Sequence, residues 1–77
     1  MKEVKVPDLG KIEEMTLTKW KVKEGGEVRK GQEIAEMEAL KTSFSIEAPI
    51  DGLLEKKLLD RGEKAGPGET IAEMYRP

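Results

Sequence analysis

Short runs of apolar and β-branched residues alternate with glycine and proline along the whole chain. The six runs are Val4 to Val6, Thr16 to Val22, Ile34 to Glu38, Ser43 to Ala48, Leu53 to Leu59 and Ile71 to Tyr75. Runs of this length between turn-forming residues are typical of β-strands. A helix would need ten or more residues of 3.6-residue periodicity without such breakers. The pattern predicts an all-β sandwich or flattened barrel of mostly short strands.

An internal repeat divides the chain into two similar halves. Residues 22–37 align with residues 59–74 at a constant spacing of 37, which carries Gly25 onto Gly62 and Met37 onto Met74. The identical pairs are Gly25/Gly62, Gly31/Gly68, Ile34/Ile71, Ala35/Ala72, Glu36/Glu73 and Met37/Met74. Two similar halves without a helix can bury their apolar faces against each other. The repeat therefore predicts a pseudo-two-fold axis.

The two halves differ at two places. Pro7 and Gly10 resemble Pro49 and Gly52 at a spacing of 42, so the first half has five extra residues within Lys11 to Met15. After Met37 the first half continues through Glu38-Ala39-Leu40-Lys41-Thr42 into a further strand, whereas the second half ends soon after Met74. The symmetry therefore predicts that the segment around Lys41 lies opposite the chain termini.

The composition argues against an enzyme. The 77 residues contain no cysteine and no histidine, which removes the thiol nucleophile, the commonest general base and the commonest zinc ligand. No calcium-binding loop motif is present. The net charge of -2 and the three aromatic residues give little support for nucleic-acid binding. No apolar run is long enough to span a membrane, and the start lacks a secretory signal, so we expect one cytoplasmic domain over residues 1–77.

The segment from Glu36 to Phe44 joins two predicted strands and must reverse direction. Met37, Phe44 and Ile46 occupy predicted core-facing positions. The residues between them include no glycine, asparagine or proline, so a type I turn over residues 39–42 is expected, because that turn tolerates most residue types. Leu40 then either lies at an exposed tip or folds into the core, and Lys41 is either a functional lysine or one of many solvated lysines.

The spaced residues across the chain resemble those of biotinyl/lipoyl attachment domains. The resemblance is carried by Trp20-x-Val22-Lys23-Glu24-Gly25, Val28, Gly31 and Ile34, by Glu38-Ala39-Leu40-Lys41-Thr42, and by Glu47-Ala48-Pro49-x-x-Gly52. The opening Val6-Pro7-Asp8-Leu9-Gly10 resembles the start of lipoyl domains in dihydrolipoamide acyltransferases. The resemblance extends over roughly Val4 to Met74.

This resemblance implies a fold and a role. The fold is a flattened barrel of two four-stranded sheets, a barrel-sandwich hybrid, with the modified lysine, here Lys41, on a hairpin tip. The role is that of a non-catalytic swinging-arm carrier, which shuttles acyl groups and reducing equivalents within a 2-oxo acid dehydrogenase complex. The implied partners are a lipoate ligase or lipoyl transferase, the 2-oxo acid dehydrogenase, the acyltransferase core and dihydrolipoamide dehydrogenase.

The residues beside Lys41 combine features of lipoyl and biotinyl domains. Ala39-Leu40 is close to the Ala-Met that precedes the lysine in biotinyl domains, whereas Thr42 resembles lipoyl domains; Glu38 fits both patterns and is the usual acid of lipoyl domains. Lipoate is the expected cofactor and biotin the alternative, with Glu38, Leu40 and Thr42 as the residues that a ligase would recognise. An unmodified structural barrel-sandwich hybrid domain is a third interpretation.

The five-residue insertion provides a candidate for partner recognition. Its segment Gly10 to Met15 contains Glu13 and Glu14, and surface loops often carry recognition. In lipoyl domains the corresponding loop lies near the modified lysine and helps the partner dehydrogenase to identify its carrier. We expect Ile12 and Met15 to anchor the loop while Glu13 and Glu14 remain exposed; a merely solvated acidic loop is the alternative.

Overall fold

Eight β-strands make up the regular structure. The structure is a computed structural model that describes residues 1–8, 10 and 14–76. The strands are β1 (Lys2–Lys5), β2 (Met15–Trp20), β3 (Glu27–Val28), β4 (Glu33–Ala39), β5 (Thr42–Glu47), β6 (Gly52–Lys57), β7 (Lys64–Ala65) and β8 (Thr70–Tyr75). The described residues contain no helix, as the apolar pattern predicted.

The strands form two four-stranded antiparallel sheets. The strand order is β1-β8-β6-β3 in the first sheet and β5-β4-β2-β7 in the second. The sheets are separate and face each other across a shared apolar core, so the fold is a sandwich rather than a closed barrel. The predicted two-sheet architecture is therefore confirmed in its sandwich form.

The predicted pseudo-two-fold relation is present in the strand order and in the hydrogen bonds. Strands β2, β3 and β4 correspond to β6, β7 and β8 at the spacing of 37 residues, and β5 corresponds to β1. The Gly25 amide donates to the Leu54 carbonyl over 2.7 Å, and the Gly62 amide donates to the Leu17 carbonyl over 2.8 Å. Equivalent bulges interrupt β2 after Leu17 and β6 after Leu54. The two halves that are similar in sequence therefore also have the same strand order, backbone hydrogen bonds and bulges.

The sequence analysis did not predict two of the eight strands. Strands β3 and β7 have two residues each, too few to show an alternation of apolar and polar positions. The predicted ends of two longer strands were also wrong, because β2 ends at Trp20 rather than Val22 and β6 at Lys57 rather than Leu59. At both points the chain leaves one sheet and crosses to the other.

The core is built from matched residues of the two halves. Leu17 and Leu54 are fully buried, as are Met37 and Met74, and each pair is related by the repeat. Ile46 is buried, whereas Phe44 is only partly buried and packs against the core. The expected inward orientation of Met37 and Ile46 is therefore confirmed. The part of the chain that the structure describes buries no polar or charged residue.

Candidate functional site

The β4–β5 hairpin ends in a two-residue tip formed by Leu40 and Lys41. Ala39, the last residue of β4, lies opposite Thr42, the first residue of β5. Ala39 is only 6% exposed, so the end of the ladder is fixed to the core directly below the tip. The hairpin thus places Lys41 at the outer end of two paired strands of seven and six residues.

The turn occupies the predicted residues, but its backbone differs from the expected type I turn. Lys41 has φ +66°, and it is the one non-glycine residue with a positive φ in the described part of the chain. A positive φ at the third position of a four-residue turn is the feature of type II turns, where glycine or asparagine is usual. For an L-residue this conformation costs about 1–2 kcal/mol. A type I turn is disfavoured in a two-residue hairpin loop, because its backbone twist would splay the paired strands.

All the side chains that the sequence proposed for attachment are accessible. Leu40 is 89% exposed, so the alternative that Leu40 folds into the core is wrong. Lys41, Glu38 and Thr42 are exposed as well. None of the salt bridges among residues 1–8, 10 and 14–76 involves Lys41. The amine of Lys41 is therefore available to form a bond with a group that approaches from solvent.

Glu38 lies on the outer face of the sheet, directly below the tip. In the strand ladders it is opposite Ser43 of β5 and opposite Thr16 of β2. One shallow groove is lined by Glu38, Leu40, Thr16 and Lys64, together with Glu14, Thr18 and Ala39. The structure thus brings Glu38 and Leu40 together on one surface that leads to Lys41.

The loop proposed for partner recognition approaches the tip through Glu14. Glu14 is exposed, lines the same groove as Leu40, and forms a salt bridge of 3.1 Å with Lys64. Met15 is 1% exposed, which confirms its predicted anchoring role. Glu13 and Ile12 lie outside the described residues. Partner recognition by Glu13 and Glu14 stays a prediction.

Three groove residues, Thr16, Thr18 and Lys64, were not predicted by the sequence analysis. Thr16 and Lys64 lie beside the tip because β2 pairs with both β4 and β7. A signal for Thr16 was present, since strict alternation from the inward-facing Leu17 turns Thr16 and Thr18 outward. Lys64 had no such signal, because it belongs to a strand of two residues.

The tip and the chain termini occupy different ends of the sandwich. The tip lies beside the first residues of β2 and beside β7. The N-terminal Lys2 is paired with Met74 of β8, and Tyr75 is paired with Leu53 near the start of β6. These are the pseudo-two-fold equivalents of the elements around the tip, so the predicted placement of Lys41 opposite the termini is confirmed.

The ionisable groups with perturbed pKa values lie away from the tip. Lys21 is 2.6 Å from the Glu33 carboxylate and 3.1 Å from that of Glu36. The hydrogen bond that Lys21 donates to the Glu33 carboxylate, followed by the one it donates to Glu36, raises the pKa of Lys21, and the same bond to Glu33 lowers the pKa of Glu33. Within residues 1–8, 10 and 14–76, no three side chains are grouped in a way that could hold a metal ion. The same residues include no helix that is long and apolar enough to cross a membrane.

Comparisons with known proteins agree on one family. The chain matches the Biotin_lipoyl family model, described as "Biotin-requiring enzyme", over residues 2–74. It is 32% identical over 76 residues to a dihydrolipoyllysine-residue acetyltransferase component of the pyruvate dehydrogenase complex from Staphylococcus epidermidis, covering 97% of this chain and 18% of the relative. It is 36% identical over 70 residues to a dihydrolipoyllysine-residue succinyltransferase component of the 2-oxoglutarate dehydrogenase complex from Rickettsia felis, covering 90% of this chain and 18% of the relative.

A solved structure shows the same fold. The solution structure of the lipoyl domain of the 2-oxoglutarate dehydrogenase complex from Azotobacter vinelandii superposes with a TM-score of 0.78 at 23% identity. The match covers 96% of this chain and 95% of that domain. The sandwich described above is therefore the complete fold of that domain, whereas the chain spans only 18% of the length of the curated relatives.

Proposed function

The chain belongs to the family of biotinyl/lipoyl attachment domains, and we propose on that premise that Lys41 carries a lipoyl group in amide linkage. The domain then acts as a carrier rather than an enzyme, moving acyl groups and reducing equivalents between the active sites of a 2-oxo acid dehydrogenase complex. The observation that supports this most directly is the exposed Lys41 on the two-residue tip of an anchored hairpin, where it forms no salt bridge with any residue in 1–8, 10 and 14–76.

The attachment reaction needs only the lysine amine from this chain. A ligase supplies the lipoyl group as an activated acyl anhydride, and the deprotonated Nζ of Lys41 attacks its carbonyl carbon. The new C–N bond forms as the anhydride C–O bond breaks, the phosphate half of the anhydride leaves with the electron pair of that bond, and the amine loses one proton to solvent. The product amide is neutral, so attachment removes the charge of Lys41. This chemistry is compatible with a domain that has no histidine or cysteine.

The geometry of the hairpin suits a tethered carrier. The ladder between β4 and β5 and the buried Ala39 hold the root of the arm in place, while Leu40 and Lys41 project into solvent. The bound group supplies the redox and acyl-transfer chemistry, and the protein supplies position. Tethering raises the effective concentration of the group at each active site that the domain visits.

The lipoyl group is favoured over biotin by the residues at the tip and by the named relatives. Glu38 and Thr42 match the lipoyl pattern, and the two relatives quoted above are dihydrolipoyllysine-residue transferases. Biotin is the second candidate, because Leu40 is a near-isostere of methionine and is 89% exposed beside Lys41. A biotin ligase would therefore contact, in Leu40, a side chain close in shape to the methionine that precedes the lysine in biotinyl domains.

The proposed partners follow from this role. They are a lipoate ligase or lipoyl transferase, the 2-oxo acid dehydrogenase, the acyltransferase core and dihydrolipoamide dehydrogenase, and the proposed location is the cytoplasm. The insertion loop with Glu13 and Glu14 is proposed to help the dehydrogenase recognise its carrier. Support comes from Glu14, which lines a groove together with Leu40 and thus lies within reach of an enzyme bound to the tip.

The proposal is tested by parallel incubation with a lipoate ligase and a biotin ligase, each with its acid and ATP, followed by intact mass measurement. We expect one lipoyl adduct on the unaltered chain and none on Lys41→Ala. Lys64→Ala is the matched control, because Lys64 is exposed beside the same tip and its loss should leave labelling intact. Labelling by the biotin ligase alone would establish biotin as the cofactor. No adduct from either ligase would favour a structural domain.

A further inference from the structure

Strand β5 forms one edge of the sheet that carries Lys41. Among residues 1–8, 10 and 14–76 it pairs with β4 alone, so its other side has no partner strand in that part of the chain. Its sequence from Thr42 to Glu47 contains no lysine, arginine or proline, and its one charged residue is the last. Proteins usually protect a free edge with such residues, because unpaired N–H and C=O groups can pair with another chain. The free edge of β5 lacks this protection.

The pseudo-two-fold axis supplies a protected counterpart. Strand β1, the equivalent of β5, is also an edge strand. Three of its four residues are charged, namely Lys2, Glu3 and Lys5. At the spacing of 42 residues, the corresponding positions of β5 are occupied by Phe44, Ser45 and Glu47. The same backbone edge is therefore protected by charge in one sheet and unprotected in the sheet that carries Lys41, so the fold itself does not dictate the difference.

Alternate residues of β5 present their backbone groups at the free edge. In an antiparallel pair, residues whose N–H and C=O face the partner strand alternate with residues whose groups face away from it. Ala48, directly after β5, donates to the Gln32 carbonyl over 2.8 Å and accepts from the Gly31 amide over 2.9 Å, so its groups face the β4 side. The same alternation leaves three residues of β5 with both backbone groups at the free edge: Ser43, Ser45 and Glu47.

These backbone groups are complementary to those of a second copy of the same strand. When two copies of β5 run antiparallel about a two-fold axis at Ser45, that residue lies opposite itself and Ser43 lies opposite Glu47 of the second copy. Opposed residues of this kind exchange both hydrogen bonds, so every backbone group at the edge gains a partner. The same register places Phe44, which is only partly buried, beside Ile46 of the second copy, and such aromatic and β-branched pairs stabilise sheets. It also keeps the two Glu47 carboxylates apart.

We propose that the free edge of β5 is a self-association site, at which two copies of this domain join their sheets through antiparallel β5 strands centred on Ser45. Two-fold symmetry of this kind is the commonest arrangement of identical chains. Lys41 lies outside the paired residues 43–47, and the two Lys41 residues are separated along the strands by roughly 27 Å in this register. The dimer therefore presents two attachment sites at opposite ends of one continuous sheet. Pairing needs no modification of Lys41, so this inference does not rest on the proposed function.

The association should be weak and should depend on protein concentration. Two short strands bury much less surface than the roughly 1,200–2,000 Å² of a stable interface, so we expect a dissociation constant of about 0.01–1 mM. Sedimentation velocity of the unaltered chain between about 10 µM and 2 mM covers this range and should show conversion of monomer to dimer. A chain that stays monomeric at every concentration would overturn the proposal.

Two lysine variants of β5 test the pairing by charge. Ser45→Lys and Ser43→Lys are matched, because each residue lies opposite a glutamate of β4 and each substitution adds one positive charge. Ser45→Lys places two like charges opposite each other in the dimer, so the dissociation constant should rise about fivefold or more. Ser43→Lys places the new charge opposite Glu47 of the second copy, so the dissociation constant should fall or stay within about twofold. Equal effects of the two variants, with thermal melting showing both folded, would overturn the proposal.

Two cysteine variants test the register. The chain has no cysteine, so Ser45→Cys and Ser43→Cys each add a single thiol. Across the axis, two copies of Ser45→Cys have Cα atoms about 5.5 Å apart, which a disulfide can bridge, whereas two copies of Ser43→Cys are offset by roughly 13 Å along the strands. With oxidised glutathione as the oxidant, Ser45→Cys should therefore form a covalent dimer at least about tenfold faster, although Ser43 is the more exposed residue. Equal rates, or faster linkage of Ser43→Cys, would overturn the proposal.

Discussion

Replacing Lys41 with glycine should make the domain more stable, although it should also abolish the proposed attachment. Lys41 has φ +66°, which costs an L-residue about 1–2 kcal/mol and costs glycine almost nothing. Glycine loses more conformational freedom on folding, which offsets about 0.5–1 kcal/mol of this gain. The net stabilisation is about 0–1.5 kcal/mol, and its midpoint of about 0.75 kcal/mol gives a rise in Tm of about 3–6 °C for a domain of this size.

Two further variants isolate the backbone effect from the loss of a charged side chain. Lys41→Ala also removes the charge but keeps the strained φ, so its stability should stay within about 0.5 kcal/mol of the unaltered chain. Leu40→Gly alters the neighbouring tip residue, which has no positive φ to relieve, and should lower stability by about 0.5–1 kcal/mol.

The assay is chemical denaturation with guanidinium chloride, supported by thermal melting, for the unaltered chain and the three variants. The expected order of stability is Lys41→Gly first, the unaltered chain and Lys41→Ala together, and Leu40→Gly last. If Lys41→Gly were no more stable than Lys41→Ala, the tip would store no backbone strain and the reasoning would be refuted. The expected order would mean that the lysine proposed for attachment occupies a position where glycine is more stable, a common cost at functional sites.

Three other outcomes are expected. Leu17→Ala and Leu54→Ala should each lower the free energy of unfolding by about 2–5 kcal/mol, and by similar amounts, because both residues are fully buried at equivalent positions; denaturant titration measures both. Gly52→Ala should destabilise the fold, because a Cβ there would collide with the carbonyl oxygen of the last residue of β8; thermal melting checks this. Lys21→Met should remove a stabilisation that is present at neutral pH. That stabilisation is lost in acid, as pH falls through the lowered pKa of Glu33, and in alkali, as pH rises through the raised pKa of Lys21; stability profiles against pH for both chains would show it.

The longer strands could be predicted because each has enough residues to show an alternation of apolar and polar positions. Alternation around Leu17, Met37 and Leu54 indicates inward and outward positions, and the repeat then relates the two halves without any knowledge of the fold. Strands β3 and β7 could not be predicted in this way. Their two residues become strands only because the chain crosses between the sheets beside β6 and β2.

The site was predictable in position but not in conformation or surroundings. The place of Lys41 follows from the repeat and from the family resemblance, both of which are properties of the sequence. The pairing of Ala39 with Thr42 makes a two-residue hairpin loop, in which a type I turn would splay the strands, and Lys41 has a left-handed backbone instead. The salt bridge between Glu14 and Lys64 joins residues far apart in the chain, so no local pattern could reveal it.

The pseudo-symmetry separates the residues that stabilise this domain from those that give it a function. Leu17 and Leu54 face inward at equivalent positions and are identical, because both halves must fill the same core. Glu38 and Tyr75 face outward at equivalent positions and differ, so the backbone does not dictate either side chain. A residue that departs from its equivalent without a packing reason is a candidate for recognition. By this criterion Glu38, on the face that leads to Lys41, is where a substitution should change the choice of partner while leaving the fold intact.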